Sequence, residues 1–240
     1  MRQIIFALLL TFLLNNPSNS QNVVIVKDSI EIKYDTSLQK IVEMHKEIKS
    51  FYKVLEKLQP IAIAENNYFY IFDVDENSNY KFIKKSPVSF PIPKGIRAAM
   101  PIESYDFKCV CVVTGDAFDR IEDRIVIFHE FVHCSQFNSV ELKLKENLDI
   151  YKQAMEKQDY MWELNYSFPY ANDEFVNTYS EFLNVLDKQD STAIKYIRKS
   201  LKNMLYKKEF EYMTWQEWKE GYARFIENRL RTHYKLKIND

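Results

Sequence analysis

The chain has little with which to staple itself. It holds three cysteines in 240 residues, too few for a disulfide framework. Cys109 and Cys111 stand two apart in a run that reads as a strand, so they share a face and are poorly placed to bridge each other. Either would reach Cys134 only if that strand packs on the helix carrying it. Glycine is as scarce, with three residues, so a glycine inside a helix calls for a reason. Charge of one sign is lacking too. Lys and Arg number 33 against 34 Asp and Glu, a net charge of −1. That balance argues against a nucleic-acid or anionic-membrane partner.

A long apolar run is also missing. Ile4 to Leu14 is apolar apart from Thr11, the length of a signal-peptide core and short for a bilayer span. Arg2 precedes it, and Ser18-Asn19-Ser20 places small residues before Gln21. Residues 1–20 are therefore expected to be a signal peptide. The mature chain would then lie in the periplasm or outside the cell, with no stable membrane insertion. The full chain is 46% apolar and 15% aromatic, enough for a sizeable core and against disorder.

The pattern along the chain predicts an α+β fold, with a sheet region over 21–116 and a helical region over 117–240. Asn22–Lys27 and Ile30–Tyr34 read as short strands. Ser37–Leu58 reads as a helix ended by Pro60. Tyr68–Val74 and Tyr80–Ile83 flank a polar turn and read as a hairpin. Ser86–Pro101, with four prolines, reads as a long loop, and Phe107–Val113 as a strand. A helix is expected from about Phe118 to Phe137, with Ile121, Ile125, Phe128 and Val132 as its core stripe. After Val140 the chain reads as helical, interrupted by an aromatic loop from Trp162 to Tyr170.

Inside the helix at 118–137 lies His129-Glu130-Phe131-Val132-His133. Positions four apart on a helix share a face, so both imidazoles can meet one Zn²⁺. Glu130 projects beside the first of them, where a carboxylate can take a proton from water. Composition gives about 0.005 expected occurrences of such a pattern by chance in this chain. A third protein ligand is needed for tight binding. The residues that would complete H-E-x-x-H-x-x-G-x-x-H are Gln136 and Ser139, which excludes a third histidine at that spacing. His45 and His233 are distant in sequence. Glu220 is the leading candidate, because Gly221 after it would let a second helix come close; Glu163 and Glu174 stand in reserve.

Glu220-Gly221-Tyr222-Ala223-Arg224-Phe225-Ile226-Glu227, taken with H-E-x-x-H, resembles the paired motifs of the glutamate-type zincins, the thermolysin-like metallopeptidases. The resemblance covers about Phe107 to Arg231. It implies a zincin-like fold, with a small mixed sheet, an active-site helix and a mainly helical C-terminal lobe. It implies one zinc per chain on His129, His133 and Glu220, with Glu130 as general base, acting on a peptide or protein substrate. No G-x-M-E-N aminopeptidase motif is present. Tyr166, Tyr170, Tyr179, Tyr222 and His233 are open choices for an oxyanion donor, and the Phe107–Val113 strand for pairing with an extended substrate. The alternative is an exported binding or scaffold domain that keeps such a fold without turnover.

Overall fold

A computed structural model describes residues 29–238 of the chain. The expected signal peptide and the Asn22–Lys27 strand lie outside the described residues. Ile30–Tyr34 is not a strand but the start of a helix, α1 (Ser29–Ile48). Its I-x-I-x-Y alternation suggested period two, yet Ile32 is exposed while Tyr34, Leu38, Ile41 and Val42 are buried. Apolar positions continued at helical spacing decide the conformation. α1 stops ten residues short of the expected end, and Lys53–Leu55 forms a separate 3₁₀ turn.

The sheet has five strands: β1 (Ile61–Glu65), β2 (Tyr68–Val74), β3 (Tyr80–Pro87), β4 (Arg97–Ile102) and β5 (Lys108–Val113). Their spatial order is β3-β2-β1-β5-β4, with β1 and β5 parallel and the other neighbours antiparallel. The hairpin turn between β2 and β3 is closed by Asp75 Oδ1, which accepts from the amides of Asn77 and Asn79, both at 2.9 Å. Two strands went unread in the sequence. Four consecutive apolar residues, Ile61–Ala64, carry no alternation because β1 is covered on both faces. β4 ends a proline-rich stretch, and an edge strand tolerates proline. The order also settles the Phe107–Val113 strand: β5 is paired on both sides, so among the described residues the free edges belong to β4 and β3.

Alternation along β5 divides the core. Cys109, Cys111 and Val113 face α1 and α2 (Ile121–Gln136), while Val110 and Val112 face Phe69, Ile71 and Tyr105 beneath the sheet. Cys109 Sγ lies 3.7 Å from Cys134 Sγ, and all three cysteines are free and buried. From α2 onward the chain is helical, through α3 (Leu142–Lys145), α4 (Asp149–Glu156), α5 (Trp162–Asn165), α6 (Asp173–Asp187), α7 (Ser191–Met204), α8 (Lys207–Gln216) and α9 (Tyr222–His233). A second core of Trp162, Phe168, Phe175, Phe182, Leu201 and Trp215 holds α4 to α8 together. Among the described residues no helix is long and apolar enough to cross a membrane.

Two joints between helices are not loops. π-turns at Phe137–Glu141 and Glu217–Gly221 run α2 into α3 and α8 into α9. A π-turn widens the helix by shifting its ladder from i−4 to i−5, and such turns concentrate at functional sites.

Candidate metal centre

α2 packs against β5 and β4 on one side and α9 on the other. Ile125, Phe128 and Val132 are fully buried, which fixes the rotation of the helix. His129 and His133, one turn apart, then emerge toward α9 at 6% exposure each. Their Nε2 atoms are 3.1 Å apart. Glu220 Oε2 comes to 3.6 Å from His129 Nε2 and 3.3 Å from His133 Nε2. Donors held about 2.0–2.1 Å from a common centre in a tetrahedral array stand about 3.3–3.4 Å apart. The three measured edges bracket that value, and two imidazoles with one carboxylate are a donor set suited to zinc. Glu220 is about half exposed while both histidines are buried, so the centre opens to solvent on the Glu220 side.

Each imidazole is aimed by a partner on its other nitrogen. Gln136 Oε1 stands 2.9 Å from His133 Nδ1, while Gln136 Nε2 donates to the carbonyls of Trp218 at 3.0 Å and Lys219 at 3.3 Å. Those carbonyls accept only, so the amide of Gln136 must face them and its oxygen must face the ring. His133 is thereby a donor at Nδ1, and its Nε2 lone pair is left for a cation. Both carbonyls lie in the second π-turn, which opens them to an outside donor. One side chain thus sets a tautomer and ties α2 to the turn that carries Glu220.

On the other imidazole, His129 Nδ1 lies 3.0 Å from Glu227 Oε2, a close charge contact that lacks hydrogen-bond alignment. Glu227 is 1% exposed and also accepts from Arg231 Nε at 2.9 Å and Arg224 Nη1 at 2.7 Å. Burial would raise its carboxyl, but His129 and the two arginines outweigh that and hold it down to about 2. A carboxylate behind a ligating imidazole orients it and raises its basicity. Burial alone would lower His129 likewise, but contact with Glu220 and Glu227 lifts it to about 9. Glu220 is held well below the usual carboxylate range by the same two histidines, against the effect of burial.

Glu130 sits beside the histidines at 8% exposure. Burial pushes its carboxyl above the ordinary value, while His133, His129 and the Ala99 amide of β4 pull the other way. It is the one buried acid here without a lysine or arginine partner among the described contacts.

The reserve ligands stand elsewhere. Glu163 is caught between Lys145 at 2.7 Å and Lys219 at 2.8 Å and accepts from Trp215 Nε1 at 3.0 Å. Glu174 lies exposed in the first turn of α6. His45 is buried against the Leu55 carbonyl at 2.8 Å, and His233 meets Phe51 edge-to-face at 5.1 Å. The reason proposed for Gly221 fails. A Cβ there would find only the Gln216 carbonyl, at 4.0 Å, so no second backbone approaches it. The carboxylate reaches the histidines from the π-turn, and the missing Cβ of Gly221 is not what lets α9 pack on α2. Of the oxyanion candidates, Tyr179 commits its hydroxyl to Glu217 at 3.1 Å and Tyr166 packs on Tyr212.

Gln136 and Glu227 were given no role from sequence. Glu227 did carry a signal: it stands seven residues after Glu220, two helical turns on the same face. Gln136 carried none, since its role depends on where two π-turns fall. Compared with known proteins, the chain matches no family model, no curated protein and no solved structure.

Proposed function

We propose that the protein is an exported zinc-dependent metallopeptidase of zincin-like architecture. The observation that carries this reading is the triangle of Nε2, Nε2 and Oε2 atoms, 3.1, 3.3 and 3.6 Å on its sides, with Glu130 buried beside it. When bound on His129, His133 and Glu220, zinc supplies a Lewis acid that polarises a carbonyl and acidifies water. Glu130 takes a proton from the attacking water and returns it to the leaving amine. Burial suits it to this, since a raised carboxyl pKa lies nearer the working pH of a general base. Glu227 and Gln136 hold the two imidazoles in the tautomer that leaves Nε2 free. The free edge of β4, whose Ala99 amide acts on Glu130, offers backbone groups for an extended peptide.

The test is direct. Protein purified without added metal is analysed for zinc and then incubated with a broad peptide library, with cleavage read by mass spectrometry. One zinc per chain and chelator-sensitive cleavage support the reading. Zinc without any cleavage favours a binding domain on the same fold, and failure to take up zinc removes both. Export is tested separately by the mass of the secreted chain, which should begin at Gln21.

A further inference from the structure

One reactive pair of side chains plays no part at the metal centre. Cys109 and Cys134 are 2% and 0% exposed, and their sulfurs lie 3.7 Å apart. Register explains why they meet. Glu130 of α2 stands against the Ala99 amide of β4, and Ala99 is paired with Cys111 of β5. Cys134 is one turn on from Glu130, about 6 Å along α2. Cys109 is two residues back from Cys111, about 7 Å along β5 and opposite Pro101. Nearly equal steps in opposite chain directions put Cys134 over Cys109 and leave Cys111 on the Glu130 side.

The chain has three cysteines in all, and two of them touch across the core. A thiol pair gains little from such contact while reduced, because S–H is a weak donor and sulfur a weak acceptor. Disulfide sulfurs stand about 2.05 Å apart, so closure needs an approach of about 1.7 Å by two short side chains. The bond would span from the sheet to the helix that carries both histidines, one residue after His133.

We propose that Cys109 and Cys134 close into a disulfide as the exported chain folds, and that Cys111 stays a free thiol. The inference rests on the export expectation and not on the peptidase chemistry. The oxidant is a thiol–disulfide carrier of the oxidising compartment. One cysteine sulfur attacks the carrier disulfide, giving a mixed disulfide and releasing one carrier thiol. The other cysteine then attacks the mixed disulfide at the protein sulfur, which forms the Cys109–Cys134 bond and releases the second carrier thiol. The chain loses two protons and two electrons, and the carrier gains both. Neither sulfur is accessible once the core is packed, so the exchange belongs to folding, before α2 settles on β5. The same packing shields the closed bond from reductant, which makes it a lock on the metal helix and not a reversible switch.

Counting thiols tests this without any substitution. Chain recovered from the cells that secrete it is unfolded in alkylating buffer without reductant, and its mass is taken. Chain made in a reducing cytoplasm is unfolded, fully reduced, refolded with glutathione disulfide and treated in the same way. Each preparation should take up one alkyl group, against three after reduction. Cys109 and Cys111 share a strand, so variants tell them apart: Cys111→Ala should leave no thiol to alkylate, and Cys109→Ala should leave two. The effect on the fold is read on metal-stripped Cys111→Ala protein, oxidised and reduced.

With the bridged positions 25 residues apart, the oxidised form should melt about 5–10 °C above the reduced one. Three free thiols in the oxidatively refolded chain, or a disulfide that persists in Cys109→Ala, overturns the pairing. A closed bond with no gain in melting temperature overturns the lock. A bond that forms on refolding, with three free thiols in the chain taken from cells, upholds the pairing and removes the export expectation. None of these outcomes touches the peptidase reading, which zinc content and cleavage decide.

Discussion

Glu227→Gln separates the orienting role of a buried carboxylate from its structural one. Glu227 is an anion at any ordinary pH, its carboxyl held down to about 2. The amide keeps the shape and removes the charge that faces His129 Nδ1 at 3.0 Å. Loss of such a partner behind a metal-bound imidazole costs about 10–100-fold in metal affinity, or about 1.4–2.7 kcal/mol. The same substitution leaves Arg231, 10% exposed, without its counter-charge, and Arg224, about half exposed, with a weaker claim. Breaking a buried pair costs about 3–5 kcal/mol, and that figure is an upper bound here because Arg224 reaches water. The two effects are read independently. Zinc dissociation constants come from competition with a chromophoric chelator at pH 7.5, and fold stability from denaturant unfolding of the metal-stripped protein. Both should worsen, and hydrolysis should return when excess zinc is supplied. An unchanged zinc affinity in a destabilised protein would mean that Glu227 serves Arg231 alone and that His129 is aimed by something else.

Glu130→Gln should keep a full complement of zinc and lose hydrolysis by about 10²–10⁴-fold, with no rescue by added metal, because an amide cannot accept the proton; retained activity assigns the base elsewhere. His133→Ala should lose zinc itself, as measured by elemental analysis after desalting. Glu163 yields the pH prediction. Burial would raise its carboxyl, but Lys219 and Lys145 hold it below the ordinary value of 4.5. A depressed folded pKa adds stability that is present above pH 4.5 and lost as pH falls through the folded value. Glu163→Gln should thus be less stable at pH 7 by about 1–3 kcal/mol, since two part-buried ammonium groups lose one carboxylate and keep Glu141, and its stability should fall less steeply toward pH 3. Equal slopes for the two proteins in denaturant midpoints across that range would refute the assignment.

Much of the framework was readable because periodicity reports burial. The stripe Ile125, Phe128, Val132 placed α2 and its rotation, and with them the shared face of His129 and His133. The β2–β3 hairpin was announced by its polar turn. Local pattern misled where it ran against a longer one, as at Ile30–Tyr34. It said nothing where burial on both faces erased alternation, as in β1. Glu220 was singled out by a neighbouring glycine whose supposed purpose, a tight crossing, is not what the backbone shows. The residue was placed with the histidines for a different physical reason from the one that drew attention to it.

That reason lies in the π-turns, and it links the geometry of the centre to its stability. A shifted ladder gives up regular i−4 bonding and leaves backbone acceptors open. In this chain the open acceptors of the Glu217–Gly221 turn, the carbonyls of Trp218 and Lys219, are met by Gln136 from α2. Gln136 is itself the last residue before the other π-turn. Lys219, inside the second turn, reaches back to Glu141 at the end of the first, at 3.4 Å. Each turn is therefore stabilised by the other, across the same interface that brings Glu220 to the histidines. A substitution at Gln136 that can neither donate nor accept, such as Gln136→Leu, should relax the Glu220 turn and free the His133 tautomer together. Metal affinity and the stability of the metal-free chain would then fall in step, whereas Glu130→Gln keeps its zinc.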